Sequence, residues 1–390
     1  MKMPQRKIEI RKDEMSERNE QKKKQSGSVV RVLVGVLVVL ALSCVLIAVL
    51  QRRIRTHSWR RSSGIDLTGL GKAMQIYGKD FEGKLPAAGQ TGELKRMGVN
   101  YRRPRVEADL EYWLENMILY HRFTDNEVAA ATGLTEKEVE AAKENFNIRT
   151  DNRPEREKDA ALLVLPYPGG RHPRIGFLEG AIDPQRETKF SVFTPWDQNG
   201  YVVVDVPEAI WSNLGLTYLA HTHIDTIWTK QGIELPKLEW NRDSDGTLDI
   251  KRELPNGIAF GVKVKPTREA VRMEMWLKNG TKQTLSDLRI QICVMSKMAA
   301  GFAEQTNENK VFRDPYAACR SSDGKRWIIT AWENCHRPWG NDRCPCFHSD
   351  PKFPGLEPGQ IHRLHGWLSF YEGTDIEAEF KRIEQTGWRK

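Results

Sequence analysis

Val32 to Leu50 is a run of 19 residues without a charge, mostly Val and Leu. As a helix it would reach about 28 Å, close to the hydrocarbon thickness of a bilayer, and it predicts a transmembrane segment. The pattern then becomes helical in period. Leu67, Leu70, Met74 and Tyr77 fit an amphipathic helix that Gly83 and Pro86 end. Leu110, Trp113, Leu114, Met117 and Ile118 repeat that spacing. Thr124 heads a helix over Asp125 to Thr132 that Gly133 stops, and Thr135-Glu-Lys-Glu138 is a capping box opening another. From Ala160 the period changes to alternation, predicting strands at Val202–Val206, Ile258–Val264, Val271–Leu277, Leu288–Met295, Trp327–Trp332 and Arg363–Tyr371. Asp245-Gly246, Asn256-Gly257, Asn279-Gly280 and Asp323-Gly324 supply turns between them. The fold class expected is α+β: one N-terminal transmembrane helix, a small helical unit and a large antiparallel β-sandwich.

The organisation follows as a basic cytoplasmic tail at 1–31, a membrane helix at 32–50, a helical juxtamembrane unit at 62–148, a linker at 149–159 and a sandwich at 160–390. The chain has 390 residues and a formal charge of +8. Residues 1–61 hold 15 Lys and Arg against 5 Asp and Glu, a net of +10, which leaves −2 for the rest. The basicity therefore flanks the apolar run, where it suits anionic headgroups, and gives no general signal for nucleic acid. A cleaved signal peptide would need a small-residue cleavage site, whereas Gln51-Arg52-Arg53 follows the run. Basic residues on both flanks balance in the positive-inside rule. A short tail before a large body favours a body on the extracytoplasmic side of the cell membrane.

Three resemblances bear on this layout. Asp66 to Pro86 resembles the segment after the membrane helix in bacterial type II secretion pseudopilins and implies the same topology; their processing junction is absent before Val32. Phe123 to Ile148 resembles a helix-turn-helix, although its second helix presents Glu136, Glu138, Glu140 and Glu144, which phosphates repel. Pro255-Asn-Gly-Ile-Ala-Phe260, Val271 to Asn279 and Leu356-Glu-Pro-Gly359 resemble the aldose-epimerase (galactose mutarotase-like) supersandwich. That likeness implies a carbohydrate-facing cleft without transferring a catalytic residue. Strings such as Gln185-Arg-Glu-Thr-Lys189, Phe193-Thr-Pro-Trp-Asp197 and Phe370-Tyr-Glu-Gly-Thr-Asp375 are similar to uncharacterised membrane-anchored bacterial proteins.

His221-Thr-His223-Ile-Asp225 would place three metal ligands on one face of a strand, close to a metallo-β-lactamase motif that Thr226 breaks. Its alternative is a metal-free polar strand end. Cys335, His336, Cys344, Cys346 and His348 could hold zinc or form a disulfide from Cys335 to Cys344 or Cys346, or remain thiols. Cys293 and Cys319 read as buried apolar residues. Glu333 and Asp225 could act as an acid/base pair. Trp196, Asp197, Trp228 and Trp339 have the polar or turn-forming neighbours expected at a ligand surface.

The functional expectation is a membrane-anchored sandwich that recognises a carbohydrate or an envelope partner. The alternative is a carbohydrate-active isomerase, lyase or hydrolase using His221, His223, Asp225 and Glu333. A transmembrane DNA-binding regulator ranks third. No organic cofactor is expected, and a divalent metal such as zinc is the one candidate. The bilayer and a glycan are the partners anticipated, nucleic acid is not, and oligomeric state is left open.

Overall fold

Alternation after Ala160 becomes two antiparallel sheets in the computed structural model, which describes residues 101–157, 159–169, 186–220, 225–342 and 344–390. The first sheet contains β1 (Val164–Pro166), β2 (Lys189–Phe193), β3 (Tyr201–Ser212), β4 (Gly215–Leu219), β9 (Arg289–Met295), β13 (Cys335–Asn341) and β14 (Cys346–Pro351). Its order is β1-β2-β3-β9-β14-β13, with β4 also paired to β3. The second contains β5 (Asn241–Arg242), β6 (Leu248–Glu253), β7 (Ala259–Pro266), β8 (Ala270–Lys278), β10 (Lys310–Arg313), β11 (Tyr316–Arg320), β12 (Arg326–Trp332) and β15 (Ile361–Glu372). Its order is β10-β11-β12-β15-β8-β7-β6-β5.

Each strand named from the sequence is present, with ends moved by a few residues. In β8 the period of two is plain: Val271, Met273, Met275 and Leu277 are buried, while Arg272, Glu274 and Trp276 between them are partly exposed. Phe190, Val192, Val202, Val204, Ile292, Val294 and Phe347 of one sheet join Val262, Val264, Met273, Met275, Ile328 and Leu368 of the other in one core. Full burial of such a side chain stabilises by about 1.5–3 kcal/mol.

Both sheets are covered on part of their outer faces, which explains why β3 and β14 are buried on both sides. Helix α1 (Glu107–Leu114) runs on as a π-helical turn, Glu115–Tyr120, followed by α2 (Asp125–Thr132) and α3 (Glu136–Asn145). Asn116 Nδ2 donates to the Pro166 carbonyl at 3.1 Å, and His121 Nε2 lies 2.7 Å from Ser191 Oγ. Arg186 and Arg242 lie over Trp113 and Tyr112, each 3.3 Å from the ring centroid. Arg102 bridges Glu187 and Glu239, and Arg252 meets Glu187 at 2.7 Å. On the second sheet α4 (Ile376–Gln385) buries Ile376, Phe380 and Ile383 against Tyr316, Trp327, Ile329 and Trp367.

Both capping boxes form, at Thr124–Glu127 and Thr135–Glu138, and Gly133 turns the chain at φ 73°. In α3 only Val139 is buried; Glu136, Lys137, Glu138 and Glu140 face solvent. Residues 149–157 have no helix or strand, yet Arg153 lies over Tyr120 and Phe193, so this stretch is held against the body. Among the described residues no helix is long and apolar enough to cross a membrane. The predicted transmembrane helix at Val32–Leu50 and the amphipathic segment at 66–86 lie outside them.

Candidate functional site

In an antiparallel sheet, residues directly opposite one another share a face. The register of the first sheet places Lys189 of β2 opposite Asp205 of β3, Asp205 opposite Cys293 of β9, Cys293 opposite His348 of β14, and His348 opposite Trp339 of β13. Five strands thus contribute one transverse row. Alternation puts it on the face turned from the sandwich core, because Val204, Ile292, Val294 and Phe347, the chain neighbours of Asp205, Cys293 and His348, point into that core. Cys293 and Cys346 share the outer cluster with Tyr201, Val203 and Met295.

The row is charged and dry. Lys189 Nζ lies 2.7 Å from Asp205 Oδ2, with side-chain exposures of 1% and 0%. A register shift in β3 between Asp205 and Ala209 brings in Glu208, also buried, which accepts from Gln291 Nε2 at 2.8 Å. Trp339 stacks on His348 with ring centroids 4.0 Å apart and planes 11° apart. Trp339 Nε1 donates to Asp350 Oδ2 at 2.6 Å, the Ile292 amide donates to Asp350 Oδ1 at 3.0 Å, and Arg337 reaches Oδ2 at 3.2 Å. His348 Nδ1 lies 3.7 Å from Asp350 Oδ1, and His348 Nε2 lies 3.7 Å from Cys346 Sγ.

Burial opposes the imidazolium of His348, but Cys293, Asp350 and Glu208 outweigh it and the net shift is upward. Burial also dominates at Asp350 and raises its carboxyl above the usual range, against the lowering effect of His348 and its three donors. The two groups therefore share a site in which a proton is retained more readily than in water.

The residues expected from sequence divide between this row and other places. Trp339 and His348 belong to it, and Cys346 stands two residues along β14 on the same face, opposite Met295 and Asn341. His336 is exposed beside it on β13. Cys335 stands opposite Pro351 and Cys346 opposite Asn341, at opposite ends of the β13–β14 hairpin. The disulfide considered between Cys335 and Cys344 or Cys346 does not form; the five described cysteines carry thiols. His221 and His223 lie outside the described residues.

Asp225 is exposed, with Thr229 Oγ1 3.5 Å from its Oδ1. Glu333 is paired differently from the expectation, since its Oε2 accepts from the His365 amide at 2.7 Å and meets His365 Nδ1 at 2.8 Å. Trp228, expected at a ligand surface, is instead in the core, its Nε1 donating to the Thr217 carbonyl at 2.7 Å. Its polar sequence neighbours form a turn around a buried ring. Trp196 is half-buried and stacks on Phe302, and Asp197 accepts the Asn199 and Gly200 amides of a tight turn.

Lys189, Asp205 and His365 escaped the sequence reading, and Cys293, read from the sequence as a buried apolar residue, is buried as expected but stands in the row. Asp205 within Val202-Val-Val-Asp-Val206 carried a usable signal, because a charge in an apolar strand has to be paired. One surface groove, lined by Arg103, Val106, Leu110 and Phe146 among others, belongs to the helical unit and contains none of the row.

No protein-family profile matches the sequence, and no curated protein matches it. Among solved structures the chain is similar to a polysaccharide lyase, at 11% identity and a TM-score of 0.25, over 34% of this chain and 22% of that one. It is also similar to a protein described as a kojibiose phosphorylase from the human microbiome, at 6% identity and a TM-score of 0.31, over 48% of this chain and 26% of that one. The chain spans about a quarter of the length of each, and the chemistry of its row rests on its own geometry.

Proposed function

We propose that this chain is a membrane-anchored protein whose first sheet binds a polar ligand, a carbohydrate, at the β13–β14 end of its outer face. The observation that carries the reading is the registered row Lys189, Asp205, Cys293, His348 and Trp339, which emerges from the buried interior at half-exposed Trp339 and exposed Arg337. A ligand of many hydroxyls needs charged donors and acceptors held in fixed positions beside an aromatic ring. Asp350, anchored by three donors, and the guanidinium of Arg337, 4.5 Å from the Trp339 ring centroid, have that character. The mutarotase-like turns of the sequence and the observed sandwich point the same way. Val32–Leu50 supplies the anchor, and the body is placed outside the cytoplasm.

The test is glycan binding by the full chain in detergent or nanodiscs. Trp339→Ala and Arg337→Ala are expected to weaken binding roughly tenfold or more, about 1.4 kcal/mol each, while Asp225→Ala leaves it unchanged. Absence of binding to any neutral or acidic glycan, or equal binding by the variants, overturns the reading. Release from membranes by alkaline carbonate removes the anchor.

A second reading, a carbohydrate-active enzyme, is favoured by one contact. Glu333 and His365 form a hydrogen-bonded, partly exposed pair, with Glu274 3.8 Å from His365 Nε2. Such a pair can exchange a proton with substrate. Glu333→Gln should then abolish turnover while leaving glycan affinity intact.

A further inference from the structure

Cys293, Cys346 and His348 form a group whose sulfur and imidazole ligand atoms all lie within 4.8 Å of one another, the three residues being buried. We infer that it is a binding site for a borderline-soft divalent metal, zinc in the first instance, held by two thiolates and one imidazole. Bond lengths of about 2.3 Å to sulfur and ~2.05 Å to nitrogen in a tetrahedron put neighbouring ligand atoms about 3.6 Å apart. The Cys346 Sγ to His348 Nε2 separation is 3.7 Å.

Charge and surroundings agree with this assignment. Two thiolates neutralise a divalent cation, so the loaded site has no net charge, as a position exposed 1% or less requires. Metal-ligating histidines commonly direct their second ring nitrogen to a carboxylate. Here Nδ1 of fully buried His348 has no hydrogen-bond partner among the described residues and faces Asp350 Oδ1 at 3.7 Å. Metal on Nε2 fixes the proton on Nδ1 and gives it that acceptor. The Ile292 amide and the Trp339 indole hold Asp350, and the Trp339 ring lies flat on the imidazole, so the ligand's orientation is set before any metal arrives.

Sequence spacing alone indicates a different set, Cys335, His336, Cys344, Cys346 and His348. Sheet register replaces three of these with Cys293, 53 residues before Cys346 in the chain. Three protein ligands leave a tetrahedral metal one position for water or a ligand oxygen. The inference does not depend on a glycan, because metal loading is measured without one.

The experiment uses the purified full chain, stripped with a chelator and titrated with zinc or cobalt alone. One equivalent should bind, with thiolate-to-cobalt charge transfer and the visible bands of a tetrahedral site. Cys293→Ser and Cys346→Ser should each lose the charge-transfer band, and Cys335→Ser and Cys319→Ser should keep it. Should the serine variants fail to fold, the wild-type chain still decides by alkylation and peptide mapping. Zinc is expected to protect Cys293 and Cys346 and leave the labelling of Cys335 unchanged. No binding by the stripped protein, an octahedral cobalt spectrum, or protection of a different pair of thiols overturns the site. Loss of glycan binding with metal loading intact removes only the proposal for the ligand.

Discussion

Cys335 separates exposure from reactivity. Its residue is half-exposed, yet burial of the sulfur pushes its thiol up to about 11, with the Ser349 hydroxyl, 3.4 Å away, opposing that rise and Asp314 adding to it. Alkylation follows the thiolate. At neutral pH Cys335 should therefore react on the order of 10²-fold more slowly than an ordinary exposed cysteine of pKa ~8.5. Its rate should climb with pH until about 11; a plateau near 8.5 in a pH series with iodoacetamide would contradict the environment described. The buried Lys189–Asp205 pair makes a second prediction at this scale. Lys189→Met leaves a buried carboxylate alone and should cost about 3–5 kcal/mol in urea unfolding, whereas adding Asp205→Leu should restore most of it. Equal losses in the single and double variants would show that the pair is uncoupled.

At the scale of elements, legibility followed burial on one face or two. Strand β8 was readable because one face meets the core and the other meets solvent, so residue type alternates with period two. Strand β14, Cys-Phe-His-Ser-Asp-Pro, is buried throughout and read as a cluster of chemistry, since its outer face carries the polar row. β13 contains Pro338 and Gly340, which weaken a strand pattern and are tolerated at the edge of the sheet. The helices were readable through their caps, which act locally. Helix α4 was missed; it matters because Phe380 stacks on Tyr316 at 4.6 Å and covers the second sheet. Phe380→Ala should destabilise by about 3–5 kcal/mol. A loss below 1 kcal/mol in denaturant unfolding would mean that the helix is dispensable for this face.

Across the whole molecule, the helical unit and the sandwich meet through charges that are nearly dry. Glu187 receives Arg102 and Arg252, whose side chains are 9% and 4% exposed. Removing one partner from such an arrangement strands the others. Glu187→Gln is expected to loosen the helical unit and speed proteolytic cleavage within 149–157. Unchanged cleavage at matched stability would place the holding force in the Arg186–Trp113 and Arg242–Tyr112 contacts instead.

Local order along the chain determined much of this protein: the apolar run at 32–50, the capped helices, the half-buried strands and the α+β class all depend on neighbours a few residues apart. Tertiary structure decided which distant groups share a face. Cys293 joined Cys346 and His348, Lys189 met Asp205, Glu333 took His365 in place of Asp225, and Trp228 went to the core. The reason is that backbone pairing between strands fixes register, and a shift of one residue in β9 or β14 would turn Cys293, or Cys346 and His348, to the opposite side of the sheet and break the row.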